Sequence, residues 1–312
     1  MESCKSIDHN LGGGFIKIEN KERIALYTYD TICYRLRSKK GDRLMKEEKK
    51  FVIYMITAFV TAWILQFVGI TGAFRGQTML YQGVIAVSMY MPLLAVVIAN
   101  KGIGRAQTGI EWGWHWKKNW KRFLIAWFLP AATTILGAVL YFLILPEKFD
   151  MNCGALTQTL EASGVMVDAE GKVQGIPLGM LGIIQLISAV TYGPLVNTFV
   201  AVGEEAGWRG YMTPALSKWM GKGSGLVLSG IIWAVWHAPV IVFAGYEYGR
   251  GYAGEPVLGV LMMCGFTTAL GIILSYFYEK SQSIWVPSLI HGAINAVAGL
   301  PLFYMKEMPQ HY

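Results

Sequence analysis

Seven long apolar stretches divide the chain, at approximately residues 51–72, 79–99, 123–146, 177–203, 224–246, 256–278 and 283–305. A helix needs roughly 20 apolar residues to cross about 30 Å of hydrocarbon, because each residue rises about 1.5 Å. Each stretch is therefore long enough for a transmembrane helix, and polar residues gather in the connections between them. The fourth stretch departs from this pattern. It runs past residue 203 into Glu204, Glu205 and Arg209, and a helix that starts at Gly193-Pro194 is predicted to continue as far as Pro214. The expected fold is an all-α polytopic membrane protein with about seven transmembrane helices, or eight if the Glu-Glu segment is broken.

Composition sharpens this expectation. Of 312 residues, 54% are hydrophobic and 15% charged, against roughly 25% charged in an average soluble domain, and the mean hydropathy is +0.40. This excludes disorder and argues against an ordinary water-soluble enzyme. Eleven Trp, 16 Tyr and 14 Phe suit a chain that meets two membrane interfaces. The net charge of +7 does not point to nucleic acid, since the basic residues lie between apolar stretches and not on one motif-bearing face. Cys4, Cys33, Cys153 and Cys264 form no Cys-x-x-Cys pair.

Seven alternating spans sort the 27 Lys and Arg residues as 22 on one side and five on the other. The positive-inside rule then places the N-terminus in the cytoplasm and the C-terminus outside. Residues 1–50 are expected as a poorly ordered, basic cytoplasmic tail, 51–176 as the first three helices with their loops, 177–305 as a second transmembrane domain, and 306–312 as a short tail. A start at Met45 would also look normal, so residues 1–44 are expected as a dispensable extension. Trp112, Trp114, Trp116 and Trp120, interleaved with Lys117, Lys118, Lys121 and Arg122, read as interfacial anchors.

An ionisable side chain inside a bilayer costs about 2.5–3.5 kcal/mol on insertion scales, so each one requires a reason. Here they cluster: Glu204, Glu205 and Arg209 at the end of the fourth stretch, His237 alone in the fifth, and His291 with Asn295 one turn later in the seventh. Counted from the cytoplasmic ends, His237, His291 and Glu204 lie at depths of roughly 20, 12 and 15 Å. They can therefore meet in the cytoplasmic half of the membrane. Glu205 and Arg209, at i and i+4, can pair on one helix face, while Glu204 points about 100° away.

Glu204-Glu205-x-x-x-Arg209, Trp233-x-x-x-His237 and His291-x-x-x-Asn295 together resemble the CPBP family, named for CAAX proteases and bacteriocin-processing enzymes and also called Abi. The family includes the type II CAAX prenyl endopeptidases. Only Trp233 departs from the family pattern, which has Phe there. The resemblance covers about residues 177–300 and implies an intramembrane protease in which Glu204 is the general base, His237 helps to hold and polarise the water, and His291 and Asn295 stabilise the oxyanion. Glu205, Arg209 and Trp233 are expected as structural support.

The same Glu204, His237 and His291 are also a plausible zinc set, although no His-Glu-x-x-His is present. Metal-independent catalysis is the preferred expectation, with a zinc metalloprotease and a non-enzymatic bacteriocin-immunity or scaffold protein as alternatives. The expected partners are the lipid bilayer and a hydrophobic or lipid-linked peptide, or a prenylated protein, with no nucleic acid. The expected location is a bacterial plasma membrane.

Overall fold

The computed structural model describes residues 20–162 and 164–306, with side chains from Met45 onward except at Thr78, Thr159 and Ala162. The expectations for the first 19 residues and for the tail beyond 306 lie outside the described residues. Helix α1 spans Asn20–Phe74, so the backbone is helical from Asn20 on. A stretch with no apolar pattern of its own but no proline, and rich in Lys, Arg and Glu, still suits a helix.

The remaining helices are α2 (Thr78–Ser88), α3 (Met91–Asn100), α4 (Arg105–Thr108), α5 (Trp116–Ile144), α6 (Gly154–Ala162), α7 (Leu178–Val190), α8 (Gly193–Gly207), α9 (Thr213–Met220), α10 (Lys222–Trp236), α11 (Ala238–Ala244), α12 (Val257–Ser281), α13 (Trp285–Val297) and α14 (Leu300–Phe303). The only described strands are Lys172–Val173 and Ile176–Pro177, an antiparallel pair in the long connection after α5. Five helical stretches are long and apolar enough to cross a membrane: Met45–Phe74, Met79–Asn100, Trp116–Ile144, Val257–Ser281 and Trp285–Phe303. Two bent pairs, Leu178–Val190 with Gly193–Met220 and Lys222–Trp236 with Ala238–Ala244, bring the total to as many as seven. These coincide with the seven apolar stretches of the sequence.

The bends fall at specific places. The fourth span turns by 52° between α7 and α8, where Gly193-Pro194 opens α8, and not at the Glu-Glu segment. Nor does the helix stop at Pro214. A π-helical turn, Trp208–Met212, joins α8 to α9, and Pro214 sits in the first turn of α9, where a missing N–H costs little. The helix therefore runs on to Met220. The fifth span bends by 40° at His237, which Pro239 follows at the start of α11.

In a bilayer, helices associate through close packing of small residues more than through burial of apolar area. Gly203 and Gly207, one turn apart on α8, face α2–α3. A Cβ on Gly203 would come within 2.6 Å of the Met89 carbonyl oxygen, and one on Gly207 within 2.3 Å of Pro92 Cβ. Helix α13 lies against α8 and α5, and a Cβ on Gly292 would reach 2.5 Å from the Thr198 backbone nitrogen of α8. The Trp-rich connection also packs onto α13: Trp114 stacks on Trp285 at 4.3 Å, and the Trp285 indole donates to the Trp112 carbonyl at 2.9 Å. Two of the expected interfacial anchors thus fix the entry of the helix that carries His291.

Overpacking of this kind typically costs 1–3 kcal/mol. Gly207→Ala is expected to destabilise the protein by about that amount in a thermal melt in detergent. Gly137→Ala in α5, where a Cβ meets nothing within 4 Å, should be neutral or slightly stabilising.

Candidate active site

Two carboxylates lie side by side on α8 and are almost fully buried, Glu204 at 1% and Glu205 at 0% exposure. Neighbouring residues on a helix point about 100° apart, and the two side chains find different partners. Glu205 Oε1 accepts a hydrogen bond from His291 Nδ1 at 2.8 Å, and its Oε2 lies 3.2 Å from Arg209 Nε. The second contact is an ion pair without hydrogen-bond alignment, since Oε2 has no hydrogen-bond donor. The predicted i, i+4 pairing of Glu205 with Arg209 is present, and His291 joins it.

Glu204 is held by two tryptophans. Trp208 Nε1 donates to Glu204 Oε2 at 3.1 Å, and Trp233 Nε1 donates to the same oxygen at 2.6 Å. Trp208 stands one helical turn after Glu204, in the π-turn, and Trp233 reaches across from α10. Both bonds are charge-assisted when Glu204 is ionised, the stronger class of hydrogen bond. They direct Oε2 into the protein and leave Oε1 for other partners.

Trp233 links the two carboxylate systems. The Arg209 guanidinium lies 3.9 Å from the centre of its ring, a close cation–π contact. The His291 ring meets Trp233 edge to face at 5.4 Å. Arg209 Nη1 and Nη2 are buried without hydrogen-bond partners, so the aromatic face supplies part of the compensation for its charge.

His237 sits at the α10–α11 break. Its Nδ1 is 2.9 Å from the Trp233 carbonyl, which can only accept. This assigns the proton of the neutral ring to Nδ1 and the lone pair to Nε2. Trp236 packs edge-on against His237 at 4.8 Å, and Tyr246 stacks on it at 5.8 Å.

Glu204, His237, His291 and Asn295, the four residues singled out in the sequence as a catalytic set, line one small chamber of about 40 Å³. Gln66 of α1, Ser88 of α2 and Tyr246 also line it. The chamber adjoins a larger cavity of about 690 Å³, lined on one side by Met262, Met263, Phe266 and Leu270 of α12. Tyr81 and Glu247, near the α1–α2 and α11–α12 connections, also line this cavity. Among the described residues, no three His, Cys, Asp or Glu side chains are grouped to hold a metal ion. Nδ1 of both histidines is bonded within the protein, as the second nitrogen of a metal-bound histidine usually is, so the zinc set read from sequence would act through Nε2 of each ring and Oε1 of Glu204.

Residues 186–297 match the family described as type II CAAX prenyl endopeptidase Rce1-like. The chain is also 24% identical over 252 residues to CAAX prenyl protease 2 of Methanococcus maripaludis, spanning 78% of this chain and 82% of that protein. Together these matches support the CPBP/CAAX protease family. They support a CAAX-type intramembrane protease in general terms, and the apolar helices fit an integral membrane protein. The CAAX-protease match contains every motif residue read from sequence, Glu204 to Asn295.

Three contacts of this site escaped the sequence reading. Trp208 at i+4 from Glu204 carried a helical-spacing signal, and Gln66 was a lone polar residue in an apolar span. The long-range pairing of Glu205 with His291 had no local signature. Trp233→Phe restores the residue of the family pattern and keeps the ring, but it removes one donor to Glu204. A hydrogen bond to a charged group contributes about 1.5–3 kcal/mol. The variant is expected to fold and to lose about tenfold to a hundredfold in kcat, measured on a cleaved peptide.

Proposed function

We propose that this protein is a metal-independent intramembrane endopeptidase of the glutamate type, acting on a hydrophobic or lipid-linked peptide. The observation that carries the reading is the convergence of Glu204, His237, His291 and Asn295 on one small chamber beside a largely apolar cavity. Peptide hydrolysis needs an activated water, stabilisation of the oxyanion and a proton for the leaving amine.

Glu204 Oε1 takes one proton from the water, and His237 Nε2 accepts a hydrogen bond from the other O–H. The resulting hydroxide attacks the scissile carbonyl carbon, and the carbonyl electrons move onto oxygen. Asn295 Nδ2–H and a His291 Nε2–H donate to that oxyanion. For Nε2 to donate while Nδ1–H stays on Glu205, His291 carries both protons. Its positive charge and that of Arg209 then balance the two carboxylates. Collapse of the tetrahedral intermediate breaks the C–N bond, and the proton held by Glu204 passes to the leaving nitrogen. The products are a carboxylic acid and an amine.

The apolar wall of the larger cavity suits a greasy side chain or lipid group next to the scissile bond. The M. maripaludis relative is named a CAAX prenyl protease, which supports a prenylated peptide as one candidate substrate. The reading includes a membrane location with the N-terminus in the cytoplasm, which follows from the charge count.

Comparison of membrane-peptide termini in cells carrying wild type or Glu204→Gln, at matched protein levels, tests this reading. New termini that appear only with wild type are the expected result. Identical termini with a folded variant would instead favour a non-enzymatic membrane protein. In purified protein, a chelator is expected to leave the cleavage rate within about twofold of the untreated rate. Loss of cleavage that zinc restores would overturn the metal-independent mechanism.

A further inference from the structure

Helix α1 lies outside the matched segment 186–297, yet it places a polar side chain in the wall of the chamber. Gln66 is 1% exposed, in a span that is otherwise almost wholly apolar. A buried amide is costly unless its groups are hydrogen-bonded, and only half of this one is. Its Nε2 donates to the Trp236 carbonyl at 3.2 Å, whereas Oε1 has no hydrogen-bond partner among the described groups.

The donor side fixes which way the amide faces, since exchanging O and N would set an oxygen against the Trp236 carbonyl. Trp63 Nε1 donates to the same carbonyl at 3.1 Å, and Trp236 Nε1 donates to the Ala58 carbonyl at 3.2 Å. Three bonds thus lock α1 onto the α10–α11 break, beside His237. The locked amide leaves its unpaired oxygen in the residue set that lines the chamber with Glu204, His237, His291 and Asn295.

A site of roughly 10–15 Å³ admits one water, so a chamber of about 40 Å³ has room for two or three. Among the residues that line it, Glu204 Oε1, His237 Nε2 and Gln66 Oε1 are acceptors for which no protein donor is found, and one water has two hydrogens and cannot serve all three.

We infer that Gln66 anchors a second water that positions the nucleophilic one. This rests on the hydrolytic reading of the site. The nucleophile donates its hydrogens to Glu204 and His237. The second water donates one hydrogen to Gln66 Oε1 and the other to a lone pair of the nucleophile. Three of the four tetrahedral directions of the nucleophilic water are then fixed, and its remaining lone pair is the one that meets the carbonyl carbon. Gln66 is a positioning residue, acting through water.

Gln66→Met keeps the length and removes the acceptor. Misplacement by about 1 Å can cost on the order of a hundredfold, and the expected result is a loss of about tenfold to a hundredfold in kcat with KM within twofold. Trp63→Phe, which removes the neighbouring bond to the Trp236 carbonyl but adds nothing to the chamber, is expected to keep kcat within twofold. A high-resolution structure of the wild type should show an ordered water within hydrogen-bond distance of Gln66 Oε1. Unchanged kcat in a folded Gln66→Met variant would overturn the inference, as would a protein donor bonded to Oε1. If that variant does not fold, the wild-type structure decides. With Glu204→Gln as control, full activity of that variant would remove the hydrolytic reading itself. An inactive control beside a fully active Gln66→Met would remove only the role of Gln66.

Discussion

Two adjacent carboxylates buried inside a membrane bundle set the terms for everything around them. Burying an ion costs several kcal/mol even after relaxation, and two like charges one residue apart add mutual repulsion. The protein compensates them differently. Glu205 receives Arg209 and His291, a charged and structural solution. Glu204 receives two indole N–H groups on one oxygen, which stabilise its charge without neutralising it and leave the other oxygen available. Trp233 ties the two solutions together, because a cation above an indole ring draws electron density from it and makes its N–H a better donor. The pair that looks purely structural therefore acts on Glu204 through an aromatic ring.

The irregular parts of the helices serve this arrangement. The π-turn after α8 carries both Trp208 and Arg209, one for each carboxylate, and such turns frequently occur at functional sites. The break at His237 leaves the Trp236 carbonyl accepting bonds from two side chains of α1. Gly292 on α13 brings that helix close enough to α8 for His291 to reach Glu205. The tryptophans before α5 hold the first turn of α13. Packing far from the chamber thus determines the orientation of the groups that line it.

The seven apolar stretches were legible because a membrane leaves no alternative to continuous helix, and the ionisable residues stood out because the bilayer makes them costly. Their depths, obtained from helical rise alone, were enough to bring Glu204, His237 and His291 together, and the i, i+4 rule gave the Glu205–Arg209 pair. The extent of the helix past Pro214 was not legible, because a proline in a first turn costs nothing and the π-turn has no simple sequence mark. Trp233 read as one aromatic standing for another, since ring size is visible in sequence and the direction of an indole N–H is not. Gln66 was passed over because attention to charge misses a neutral amide, although an amide buried in hydrocarbon also requires a partner.

Thermal stability compared with cleavage activity for Glu204→Gln and Glu205→Gln separates the roles of the two carboxylates. Glu204→Gln is expected to melt near the wild-type temperature and not to cleave. Glu205→Gln should melt markedly lower, because removing one partner of a buried ion pair costs about 3–5 kcal/mol. Equal melting temperatures for both variants, or cleavage by Glu204→Gln, would contradict this separation of roles.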